Sequence, residues 1–152
     1  MKRIILIFIA VLTASFAWAG TPAEDVVEMY KDVNCARNLV ARGAMIRMAR
    51  PLMRNYSIAP LAHKVDEISV LRMDKVKSQV KDCFLSEMRK ALEAYMYAGQ
   101  SDTPNGIVDA YVHLSSSDVA DELVVYNPEI FTLYSLKGEF TVQELLSIQK
   151  KP

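Results

Sequence analysis

"IVDAYVHLSSSDVADELVVYNPEIFTLYSLKG" (residues 107–138) holds three runs rich in β-branched and aromatic residues, at 107–114, 121–126 and 130–138. Polar punctuation, "SSSD" and "NPE", separates them. Such runs read as strands, and gaps this short imply antiparallel hairpins, because a parallel return needs a long crossover. The stretch therefore commits this part of the chain to a sheet made of neighbouring hairpins.

Upstream, "DEISVLRM" (66–73) reads as a further buried strand and "RNLVA" (37–41) as a short one. Helices are predicted between them. "TPAEDVVEMYKDV" (21–33) starts at Thr21 or Pro22, carries acids in its first turn to suit the helix dipole, and turns Val26, Val27, Met29 and Tyr30 inward. "GAMIRMARPLM" (43–53) places Ala44, Met45, Met48, Ala49, Leu52 and Met53 on one stripe, with Pro51 ending or kinking it. The longest helix is expected from residue 75 to residue 98, capped by Asp74 and stopped by Gly99. Val76, Val80, Cys83, Phe84, Met88, Ala91, Leu92 and Tyr95 recur along it at three- and four-residue steps. Residues 55–65 read as a loop or short turn marked by Pro60, and residues 100–106 as a polar turn. "TVQELLSI" (141–148) closes the chain as a short helix whose Thr141 and Glu144 form a capping box. The order α-β-α-β-α-β-β-β-α predicts an α+β fold: a mainly antiparallel sheet of four to five strands with helices packed on one face.

The first 19 residues belong to a different class. Lys2 and Arg3 precede an apolar core, Ile4 to Trp18, and "AWA" (17–19) has the small-x-small form of a signal-peptidase site. The apolar stretch is shorter than the ~20 residues that cross a bilayer. We therefore expect a signal peptide cleaved after Ala19 and a periplasmic protein that is not integral to the membrane once processed. No cysteine stands directly after the apolar core, so no lipid-anchor signal is expected. Removing two bases and no acid leaves 16 Lys and Arg against 18 Asp and Glu in residues 20–152, a length that suits one domain with one core.

Several stretches together carry a family resemblance: "VVEMY", "ARGAMIRMARPLM", "VDEISVLRMD" and "ELVVYNPEIFTLYSLKGEFTVQELLSI". They resemble the secreted family catalogued as domain of unknown function 4252, of Bacteroides-type Gram-negative bacteria. The resemblance implies an envelope protein with no established reaction, so it supplies no catalytic residue. Many members of that family look lipid-anchored, and this chain departs from them by lacking the anchoring cysteine.

Chemistry-bearing motifs are sparse. His63 and His113 stand 50 residues apart with no further ligand at metal spacing, and surface or hydrogen-bonded roles suit both. Ser115, Ser116 and Ser117 lack a nucleophile elbow and precede Asp118 as a turn. No phosphate-binding glycine loop occurs, and "NYS" (55–57) is a short, common glycosylation sequon. No cofactor or metal is expected. Cys35 and Cys83 can pair in an oxidising compartment or stay as two separate buried thiols. The methionines at helical spacing read as core.

One segment stands out by charge. Residues 34–54 hold Arg37, Arg42, Arg47, Arg50 and Arg54 and no acid, whereas residues 102–149 hold eight acids and one base, Lys137. Arg47, Arg50 and Arg54, three and four apart, share a helix face opposite the methionines, as a solvated face does. The near-neutral total and the export signal argue against nucleic acid. Either the two halves balance each other within the fold, or the five arginines form an interaction face for an envelope protein or an acidic envelope component. The predicted function is thus a non-enzymatic periplasmic interaction or structural module. The alternative is an envelope-directed hydrolase or small-ligand binder, which needs Asp109, His113 and Tyr134 to converge on one sheet face.

Overall fold

The computed structural model describes residues 20–54 and 59–149. The expected signal peptide and the Asn55–Ser57 sequon lie outside the described residues. The elements follow in the order α1 (Pro22–Tyr30), β1 (Arg37–Arg42), α2 (Ala44–Met53), a 3₁₀ helix (Ala59–Lys64), β2 (Val65–Arg72), α3 (Ser78–Leu92), β3 (Met96–Thr103), β4 (Gly106–Leu114), β5 (Val119–Asn127), β6 (Thr132–Thr141) and α4 (Val142–Gln149). The fold is α+β. Its six strands form one antiparallel sheet in the order β1-β2-β6-β5-β4-β3.

The sheet has six strands where four to five were expected. The additional strand is β3, which occupies the end of the predicted long helix and the predicted polar turn. Helix α3 stops at Leu92, where Ala94 N–H and Tyr95 N–H close tight turns onto the carbonyls of Ala91 and Leu92. "MYAGQSDT" then runs antiparallel to β4, with an irregularity between Tyr97 and Gly99. Gly99 is therefore no helix stop; it sits in the ladder at φ 139, a conformation that suits a residue without Cβ. The strand escaped prediction because it is an edge strand. Hydrogen bonds to β4 hold it, and little apolar burial marks it in the sequence. Helix α3 also begins later than Asp74. Residues 74–77 form a turn that buries Met73 and Val76, and Asp74 instead approaches Arg72 at 3.7 Å.

Helices cover both faces of the sheet, not one. Alternation along the strands explains why. On one face Leu71, Leu133, Val124 and Tyr126 meet Val26 and Val27 of α1 and Phe84, Met88 and Leu92 of α3. On the other face Ile68, Leu136, Leu123 and Val112 are also apolar. They gather Ile46 of α2, Leu61 of the 3₁₀ helix, Phe140 and Leu145 into a second cluster. A sheet that is apolar on alternate positions in both directions needs two covering layers. The second layer is the smaller. Gly138 makes it possible, because a Cβ there would meet the Lys64 carbonyl oxygen at 2.2 Å.

Local signals at the two ends behave as the sequence implies. Thr21 caps α1 by accepting from Glu24 N–H at 3.4 Å. Thr141 Oγ1 accepts from Glu144 N–H at 3.2 Å while Glu144 Oε2 accepts from Thr141 N–H at 2.9 Å. Lys64 adds an ion pair to the same carboxylate at 2.7 Å. Lys64 first and the Thr141 N–H second draw the Glu144 carboxyl down to about 2 from an ordinary 4.5. A depressed carboxylate stabilises the fold above its unfolded value and loses that contribution as pH falls through the folded one. Thermal unfolding followed from pH 5 to pH 2 is expected to show an acid-side loss of Tm in the native chain. In Glu144→Gln that part of the pH dependence should be missing.

Phe84, with Phe140 one of the two phenylalanines fully buried among the described residues, touches Tyr30 and Tyr126 edge-on at 5.4 and 6.2 Å between centroids. Phe84→Ala is expected to cost about 3–5 kcal/mol in a denaturant titration, and a loss below ~1 kcal/mol would mean that the α1–α3 layer collapses onto the gap.

Candidate functional site

The helix-facing surface of the sheet ends in a row of charges. Register places Arg42, Glu67, Lys137, Glu122 and His113 side by side on β1, β2, β6, β5 and β4. Signs alternate along the first four, the favourable arrangement for cross-strand neighbours. Arg42 Nε donates to Glu67 Oε2. Lys137 Nζ lies 3.8 Å from Glu67 and 2.5 Å from Glu24 of α1.

Glu122 is the centre of this row and is fully buried. Tyr95 Oη donates to its Oε2 at 2.5 Å and Ser135 Oγ donates to its Oε1. Tyr95 Oη also accepts from Ala23 N–H at 3.1 Å, which ties the first turn of α1 to the same carboxylate. Burial, then the neighbouring Glu122 charge, pushes the Tyr95 hydroxyl far above its usual range, so it stays a donor. A bulge in β5 between Ala120 and Glu122 inserts Asp121 and re-aims it, so that Asp121 Oδ1 reaches His113 Nδ1 at 2.6 Å. The His113 ring stacks obliquely on Tyr95 at 5.1 Å.

Glu24, Glu28, Asn38, Arg42, Glu67, Ser69, Ser135 and Lys137 surround the cavity beside Glu122, whose volume is about 30 Å³. That is room for about one water and no substrate. A wider concavity of about 330 Å³ lies at the far end of the second layer, lined by Lys64, Asp66, Val119, Glu139 and Thr141. Among the described residues no group of three or more His, Cys, Asp or Glu side chains could hold a metal.

The residues proposed for a catalytic pocket do not meet. Asp109 and His113 point to the α1–α3 face, where Asp109 accepts from Gln100 at 3.0 Å and Tyr97 at 3.3 Å. Tyr134 alternates with Leu133 and Ser135 of that face and therefore points to the opposite side. The meeting of Glu122, Tyr95 and Ser135 was not legible in the sequence, where Tyr95 reads as part of the apolar stripe of the long helix. The one signal was an acid inside the apolar run "ADELVVY", a position that must be partnered if buried.

The five arginines are likewise divided. Arg37 and Arg42 lie an odd number of residues apart on β1, so they leave opposite faces of the sheet. Arg42 is engaged by Glu67, and Arg50 is half-buried, donating to the His63 carbonyl at 3.3 Å. Arg47 and Arg54 are exposed and have no ion-pair partner among the described residues. The methionine stripe of α2 is not core. Among the described side chains of this helix Ile46 alone is buried, while Met45, Met48 and Leu52 are 54, 78 and 71 % exposed; the Met53 side chain lies outside the described residues. The second layer offers α2 only one narrow seat, which Ile46 fills. Cys35 and Cys83 are free, exposed thiols, so Cys83 does not belong to the buried side of α3.

Among the described residues no helix is long and apolar enough to cross a membrane. Compared with known proteins, the chain matches no family model, no curated sequence and no solved structure.

Two buried tyrosines separate the energetic cases. Tyr95 is fully engaged, whereas the Tyr126 hydroxyl is buried with no hydrogen-bond partner among the described residues, and burial pushes it up to about 12. Tyr95→Phe leaves the Glu122 carboxylate and the Ala23 N–H short of partners and is expected to cost about 1–3 kcal/mol in urea unfolding. Tyr126→Phe removes an unsatisfied group and is expected to be neutral or stabilising in the same assay.

Proposed function

We propose that this chain is an exported, non-enzymatic interaction module of the cell envelope and that α2 is its contact element. The observation that carries this reading is the exposed flank of Met45, Met48 and Leu52 on a helix whose next exposed sector is Arg47 and Arg54. Single exposed apolar side chains are ordinary on a protein surface, but three on one helix flank mark a contact site. Leu39 of the neighbouring edge strand, 61 % exposed, adds a fourth.

The chemistry agrees with a binding role. The buried carboxylate is saturated by Tyr95 and Ser135, and its cavity admits about one water. Such a network holds α1 to the sheet. The leader-like first 19 residues and the resemblance to domain of unknown function 4252 support an envelope location within the same proposal. The hydrolase or small-ligand reading has no comparable support, because Tyr134 stands on the other face from Asp109 and His113.

A photo-crosslinking side chain placed at position 48 in cells tests the proposal, with position 90 on the exposed side of α3 as control. A discrete adduct from position 48, to a protein or to lipid, and none from position 90 is the expected result. The same pattern from both positions, or none from either, would remove α2 as the contact element.

A further inference from the structure

The surface of α2 also indicates what it contacts, and we infer that it docks on an anionic lipid bilayer surface; this rests on the reading of α2 as the contact element. At 100° per residue, Met45, Met48 and Leu52 fall within a sector of about 60°, and Arg47 and Arg54 within about 20°. Ile46 points toward the sheet and fixes the rotation of the helix. The apolar sector and the arginine sector are therefore the two shoulders of one exposed arc, with Ala44 and Pro51 between them.

This is the pattern of a helix that lies in a membrane interface: a narrow apolar stripe dips about 5–10 Å below the headgroups while basic side chains stay at phosphate level. Unbranched methionine side chains adapt to a fluid surface, and arginine stems run along apolar material with the charged head in water. Along the chain this segment carries one sign of charge, although Arg42 and Lys64 pair with Glu67 and Glu144. No acid occurs from Asn34 to Val65, where Arg37, Arg42, Arg47, Arg50, Arg54 and Lys64 are the charged residues.

A second copy of the chain, or a permanently bound protein, fits this surface less well. The exposed arc of α2 with Leu39 is small beside the ~20–30 residues per side that a stable protein interface uses. A bilayer needs no matching shape and gains from each added cation. Each arginine near an anionic surface strengthens binding by about fivefold, so two contribute about 25-fold.

The test uses the chain from Gly20 onward, which contains all six strands and both apolar clusters, Ala23 to Leu145. Circular dichroism verifies the fold of each variant. Flotation is measured with vesicles of equal parts phosphatidylglycerol and phosphatidylcholine, and with pure phosphatidylcholine. The unsubstituted chain is expected to float with the anionic vesicles only, and high salt should release it. R47Q/R54Q should weaken the partition about 25-fold, and M48S/L52S, which leaves the charge unchanged, by at least ~10-fold. No flotation, equal flotation with neutral vesicles, or unchanged flotation of either double variant would overturn the bilayer as partner. A position-48 crosslink to a protein in cells together with failed flotation would overturn this inference while leaving α2 as the contact element.

Discussion

A carboxylate with no exposed surface has to find its hydrogen bonds inside the protein, and Glu122 organises one end of the fold by doing so. Leaving such a group short of partners costs several kcal/mol, more than most single contacts contribute. Tyr95 and Ser135 supply the donors, and Lys137 stands opposite on β6. Tyr95 comes three residues after α3 ends, so the requirement sets where the chain leaves the helix and enters β3. Through Ala23 N–H the same hydroxyl holds the start of α1 against the sheet. The start of α1, the connection from α3 to β3, and strands β5 and β6 thus share one polar anchor.

The sheet is apolar on both faces, but its two covering layers are unequal. Helices α1 and α3 bury a continuous cluster on one side. On the other, a ten-residue helix, a single 3₁₀ turn segment and α4 cover only one end. A short second layer gives α2 one buried anchor, Ile46, and leaves Met45 and Met48 outside. The exposed apolar flank is therefore a consequence of how small the second layer is and of the single seat it gives α2.

Charge segregation along the chain becomes segregation across the molecule. The basic segment forms one edge strand, β1, and the helix that follows it, whereas β3 and β4, at the other edge, carry Asp102 and Asp109. Partial balance comes through Arg42–Glu67 and Lys64–Glu144, both close to the basic edge. Arg47 and Arg54 remain outside that balance. Arg37, on the edge strand, is likewise exposed and has no ion-pair partner among the described residues.

What the sequence determined by itself is local. The hairpins of β4, β5 and β6 follow from β-branched runs with short polar gaps, which admit antiparallel pairing alone. The caps at Thr21 and at Thr141 with Glu144 follow because a cap involves residues three apart. Tertiary structure decided the rest. Strand β3 exists because β4 offers it a ladder, and an edge strand needs no apolar pattern to accept one. The inward side of α2 could not be read from its stripe, because methionine suits a core and an adaptable surface equally and only the seat for Ile46 selects the rotation. Glu122 looked like one acid among eight until the fold brought Tyr95 and Ser135, 27 and 13 residues away, to its two oxygens. Hydrogen-bond partners at that separation leave no spacing in a sequence, since they are set by strand order and not by chain order.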